Sequence, residues 1–93
     1  MTIAVTPTGS FARYRKRLSS DRDDAVIAAL RRFISTPYLH SLNFEPVAHR
    51  KGYFTIRTSL ADRVLFRKIG AESYEAVAVG NHDLVYNVYF KGR

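Results

Sequence analysis

Three strand-patterned runs, at residues 53–58, 63–69 and 74–79, are separated by turns of only four residues. Connections that short join antiparallel neighbours, so the second half of the chain is constrained to a β-meander. In the first run Phe54 and Ile56 point one way, and Tyr53, Thr55 and Arg57 point the other. The first pair suits a core beneath helices. The other three suit an exposed or ligand-facing surface. The second run, Arg63-Val64-Leu65-Phe66-Arg67-Lys68, is also basic, and the third leads into Val79-Gly80-Asn81-His82-Asp83-Leu84-Val85-Tyr86.

The first half reads as helical. Ile3 and Val5 alternate with small polar residues, which predicts a short first strand within residues 1–6. Pro7-Thr8-Gly9-Ser10 is turn chemistry, and Thr8 or Ser10 can cap a helix in which Phe11, Tyr14 and Leu18 share a face. Ser19-Ser20-Asp21 then supplies caps for a second helix over 22–34, striped by Val26, Ile27, Leu30, Phe33 and Ile34. Its acids (Asp21, Asp23, Asp24) lie at the N-terminus and Arg31 and Arg32 near the end, as the helix macrodipole prefers. Pro37 ends it by about Thr36. A loop at 38–41 follows, and 42–47 reads as an irregular strand. The order β-α-α-β-β-β-β predicts one α+β domain over 1–93, with two N-terminal helices packed on a small, mainly antiparallel sheet of four or five strands.

Charge narrows the partners. The formal net charge is +7 over 93 residues, and before residue 45 the only acids are Asp21, Asp23 and Asp24. Such an excess favours polyanions or an acidic protein as partners. The chain has no cysteine, which excludes a disulfide framework and a thiolate metal site and fits a reducing cytoplasm. No run approaches the roughly 20 apolar residues of a membrane span, so no membrane partner is expected. The N-terminus lacks the build of a signal peptide, and the expected location is cytoplasmic.

A sheet surface that carries arginines and delivers His82 and Tyr86 at its end has the groups to bind a phosphate chain and move protons. Plainer roles exist for each residue. Arg57 can be a surface charge, His82-Asp83 can satisfy a turn, and Tyr53 can pack a rim instead of stacking on a base. Arg13-Tyr14-Arg15-Lys16-Arg17 fits a nucleic-acid patch or a solvated helix face equally well. His40 and His49 fall on loops without metal-ligand spacing, so no metal or other cofactor is expected.

The two N-terminal helices, the strand pair with Ile56-Arg57 and Arg63-Val64-Leu65-Phe66, and the ending VGNHDLVY at 79–86 together resemble the RelE/ParE superfamily of type II toxin–antitoxin toxins. The resemblance covers roughly residues 1–86 and points to the RelE-like branch. It implies that Arg57 contacts the RNA backbone, that His82 holds the place of a catalytic Arg or His, and that Tyr86 matches a C-terminal tyrosine used in some relatives. Two features depart from the pattern. Only Arg50 and Lys51 stand where such enzymes often carry several lysines, and the tail at 87–93 is hydrophobic instead of acidic and helical. In addition, Asp62 replaces a frequent aromatic.

The implied activity is metal-independent mRNA cleavage on the ribosome, which inhibits translation, with a cognate antitoxin covering the basic face. The 2′-hydroxyl route needs a base, a cation to steady the charge on phosphorus, and an acid for the leaving 5′-oxygen. Arg57 suits the cationic role because guanidinium grips two phosphate oxygens at once. His82 suits either proton role, since imidazole ordinarily titrates nearest neutrality. Tyr86 can stack or hydrogen-bond the phosphate, while Arg50, Lys51, Tyr53 and Arg63 form an RNA-binding rim. Two other functions compete. A ParE-like toxin would inhibit DNA gyrase without cutting RNA, and a non-catalytic RNA-binding module would bind without cleavage; neither needs His82 and Tyr86 beside Arg57.

Overall fold

The computed structural model describes residues 3–91. Strand β1 (Ala4–Pro7) leads into helices α1 (Gly9–Arg15) and α2 (Ser20–Ser35). A 3-10 turn, His40–Leu42, precedes the short β2 (Glu45–Pro46). The meander is β3 (Tyr53–Arg57), β4 (Asp62–Gly70) and β5 (Ser73–Asn81), and a single π-helical turn follows at Leu84–Val88. The sheet order is β1-β5-β4-β3-β2. Every neighbour is antiparallel except β1, which pairs in parallel with β5. This is the expected α+β architecture, with one parallel edge.

Local chemistry sets the helix ends. Thr8 caps α1 by accepting from the Phe11 amide, and Ser19 caps α2 by accepting from Arg22. Helix α1 stops at Arg15, short of the expected 11–18, because Arg17 and Leu18 close the tighter i→i+3 bonds onto Tyr14 and Arg15. In α2 the buried line is Val26, Ala29 and Phe33, while Ile27, Leu30 and Ile34 flank it half-buried. The expected strand at 42–47 shrinks to Glu45–Pro46. Asn43 is left-handed at φ 48°, and Pro46 has no amide proton to give a ladder. The first strand begins at Ala4; residues 1 and 2 of the expected run lie outside the described residues.

Two apolar layers form, one on each face of the sheet. Beneath the helices, Phe33 stacks on Phe66 at 4.7 Å and meets Phe44 and Tyr74 at 5.1 and 5.6 Å. On the opposite face Val47, Leu65, Val77, Val85, Tyr89 and Phe90 cluster, so the C-terminal segment is the lid of a second core. A bulge feeds that core: Leu65 pairs with Ala78 but Phe66 with Ala76, leaving Val77 unmatched. The bulge is tied down by the start of α1. Ser10 Oγ donates to the Val77 carbonyl at 2.6 Å, and Thr8 Oγ1 donates to the Ala76 carbonyl at 2.9 Å.

Candidate functional site

The site is built where the chain leaves β5. Asn81 Oδ1 accepts the Leu84 amide at 2.9 Å, which starts a helical turn at once and folds the segment back over the sheet. The Tyr89 amide closes the wide i→i+5 bond onto the Leu84 carbonyl at 2.9 Å. Gly80 permits the reversal: a Cβ there would sit 3.0 Å from Leu84 Cδ1. The turn places His82 and Tyr86 on one side, with ring centroids 4.3 Å apart and tilted by 39°. His82 is exposed and Tyr86 half-buried. The Asp83 carboxylate accepts from the Asn87 amide nitrogen at 2.9 Å, and that bond holds the turn.

Strand β3 supplies the floor. Thr55, buried to 1% exposure, lies 2.9 Å from the Tyr86 phenolic oxygen through Oγ1. Arg57 is on the same face two residues further, roughly 7 Å along the strand. Its register partner on β4 is Arg63, which in turn pairs with Gly80 on β5. One row across three strands therefore runs from Arg57 to the doorstep of His82.

The arginines of this face are not equivalent. Arg67 is tied to Glu75 at 3.0 Å. Arg63 folds back, with Nη1 donating to the Asp62 and Ser59 carbonyls at 3.1 and 3.4 Å. Arg57 is exposed and has no hydrogen-bonded or ion-paired partner among the described residues. Among the described residues it is the one of these three strand arginines without such a partner.

The tail covers the lower half of the face. Tyr53 meets Phe90 edge-on at 5.0 Å and Tyr89 at 6.4 Å, while the Arg50 guanidinium lies 4.4 Å above the Phe90 ring. Of the two roles open to Tyr53, rim packing is the one displayed. Lys51 is exposed on the turn before β3. His40 lies on the 3-10 turn, and His49, left-handed at φ 63°, lies in the turn just before Arg50. The basic run on α1 is partly spent internally, with Arg15 paired to Asp23 at 2.7 Å and Arg17 set 5.3 Å over Tyr14.

Sequence reasoning missed two side-chain bonds around the candidate site. Asp62 is buried to 1% exposure and forms a two-pronged ion pair with Arg22 of α2, at 2.7 and 2.8 Å. The Arg22 hydrogen bonds hold the Asp62 carboxyl below its ordinary range, against the opposing effect of burial. This clamp fixes the β3–β4 turn, and with it Arg57, to the helical layer. A signal existed. Arg22 lies in the first turn of α2, where a cation opposes the helix dipole and so needs another partner. Thr55 was placed on the correct face, but nothing local announces its bond to a tyrosine 31 residues away.

A five-stranded mixed sheet of order β1-β5-β4-β3-β2, with two helices on one face and a closing C-terminal turn on the other, is the fold of the RelE/ParE-type toxins. The solved structures it resembles include the YoeB/ParE toxin from Agrobacterium tumefaciens, 18% identical over 86% of this chain and 99% of that one, at a TM-score of 0.67. The toxin in the E. coli DinJ-YafQ toxin-antitoxin complex is 13% identical over 92% and 99%, at 0.72. A mutant of E. coli toxin RelE in the free state is 14% identical over 96% and 92%, at 0.69. At such identities the likeness is one of backbone. No protein-family model matches the chain, and no curated protein does.

Proposed function

We propose that this chain is the toxin of a type II toxin–antitoxin system and acts as a metal-independent endoribonuclease that cuts mRNA on the ribosome. The observation that carries the reading is an exposed Arg57, its side chain without a hydrogen-bonded or ion-paired partner among the described residues, on the same face as the His82–Tyr86 pair. Arg57 grips the scissile phosphate and steadies the charge that builds on its oxygens as the 2′-hydroxyl attacks. His82, exposed on the turn that follows β5, takes the 2′-hydroxyl proton or supplies one to the departing 5′-oxygen. Tyr86 hydrogen-bonds the phosphate or stacks on a neighbouring base. Arg50, Lys51 and Arg63 flank this centre and hold the RNA backbone, the electrostatic part of binding.

The partner of such a chain is a small antitoxin whose acidic segment lies on the basic face. Solved structures of this fold include complexes with antitoxins, which supports that assignment. Arg57→Ala and His82→Ala should each abolish growth arrest, with cleavage rates down by about 10²-fold or more. Both side chains are exposed, so the melting temperature should not move.

The test is primer extension on a defined mRNA with purified protein, with and without translating ribosomes and EDTA. EDTA-resistant cuts that His82→Ala loses support the nuclease, and dependence on ribosomes places it in translation. Growth arrest without any cut would overturn the reading and make gyrase inhibition the next assay.

A further inference from the structure

We propose that Thr55 is a positioning residue: its buried hydroxyl anchors the Tyr86 phenol and thereby sets the geometry of the His82–Tyr86 pair relative to Arg57. The proposal rests on the ribonuclease reading and goes beyond it, because Thr55 touches neither RNA nor a proton in flight.

The anchor is unusually well fixed. Thr55 is in the middle of β3, paired with Glu45 on β2 and Leu65 on β4. It is 1% exposed, and β-branching restricts its χ1. Its one side-chain partner among the described residues is Tyr86 Oη, at 2.9 Å. Either hydroxyl can donate in this bond, and in both cases the fixed Thr55 oxygen holds the phenol of the half-buried Tyr86 in place.

The backbone of the turn is held by the Asn81 cap, the Asp83–Asn87 bond and buried Val85, but none of these fixes the Tyr86 side chain. Below, the Tyr86 ring is held through its hydroxyl; above, it packs against His82 at 4.3 Å. The same strand presents Arg57 two residues on. One rigid strand thus sets the spacing between the phosphate grip and the proton-transfer pair, a separation for which errors of about 1 Å can cost up to 10²-fold in rate.

Thr55→Val keeps the shape and removes the hydroxyl; Thr55→Ser keeps the hydroxyl. Two readouts are needed. The first is the NMR signal of the His82 ring, which feels the ring current of Tyr86. Thr55→Val should shift it toward the position it takes when Tyr86 is replaced by alanine, Tyr86→Phe should do the same from the other side of the bond, and Thr55→Ser should leave it in place. The second is single-turnover cleavage of ribosome-bound mRNA. Thr55→Val should slow the step about tenfold with unchanged half-saturation, and should have no further effect in a Tyr86→Phe background. A hydroxyl that merely satisfies its own burial would lower the melting temperature without moving the His82 signal, and its effect would add to that of Tyr86→Phe. Either result overturns the proposal. If the wild type cuts no RNA, the ribonuclease reading fails by itself, and the His82 signal alone decides whether Thr55 positions the pair.

Discussion

Arg22 and Asp62 illustrate how a side chain that breaks a local preference reports a distant partner. A cation in the first turn of α2 is out of place by the helix dipole, and a carboxylate at 1% exposure is out of place by burial. Each resolves the other through the bonds at 2.7 and 2.8 Å. Arg22→Ala strands the carboxylate and should cost about 3 kcal/mol in urea unfolding. The acid limb of stability follows from the same pair. Hydrogen bonding from Arg22 holds the folded Asp62 below its ordinary value of 3.8, so on acidification the unfolded chain takes up the proton first. The pair's contribution is complete above that value and is lost as pH falls through the lower, folded one. Unfolding curves should steepen below about pH 4 in the wild type and lose part of that steepness in Arg22→Ala. If the acid limbs coincide, the pair is not the source.

The C-terminal segment behaves as a structural element in its own right, although its sequence only half declares it. Val88, Tyr89 and Phe90 are too apolar for a free tail, and two of the three are buried at 8% and 5% exposure while Val88 stays exposed. What could not be read is their destination. Tyr89 and Phe90 pack on Tyr53, more than thirty residues back in the chain, and local periodicity carries no such address. Truncation after Tyr86 should uncover Leu65, Val77 and Val85, lower the melting temperature by several degrees and reduce solubility. An unchanged melt would mean the segment is only laid on the surface. The legible elements were those with strong local rules: α2 between its Ser19 cap and Thr36, and the meander with its four-residue turns. Strand β2 is shorter than expected because Asn43 turns left-handed ahead of it, and the bulge at Val77 was not legible because the hydroxyls that tie it down, Thr8 and Ser10, lie far away in the chain at the start of α1.

Across the chain as a whole, the net charge of +7 would make the proposed association with RNA a matter of counterions as much as of contacts. Binding of a short single-stranded RNA should weaken with salt, each phosphate contact contributing roughly −0.7 to the logarithmic slope, and Arg57→Ala should remove about one contact. Fluorescence anisotropy over a salt series reads both quantities, and a slope near zero would rule out a phosphate-binding face. The overall layout was accessible from pattern alone because element order and turn length leave few topologies. Of the candidate site, the sequence placed Tyr53, Thr55 and Arg57 on one face of their strand, and the helical turn that brings the His82 and Tyr86 rings together came only with the structure. The Arg22–Asp62 and Thr55–Tyr86 bonds were not legible, since they join residues 40 and 31 apart.

The parallel pairing of β1 with β5 carries a consequence for timing. Ala4 is matched to Ser73, so the first strand made has no neighbour in the sheet until the last strand has been synthesised. Translation delivers the helices and β3 early, but the edge stays open and the His82–Tyr86 turn does not yet exist. The lid over the second core arrives after both. Assembly is therefore a late, nearly single event in the life of each copy, and a chain caught midway through synthesis carries Arg57 before the turn that bears His82 and Tyr86 exists.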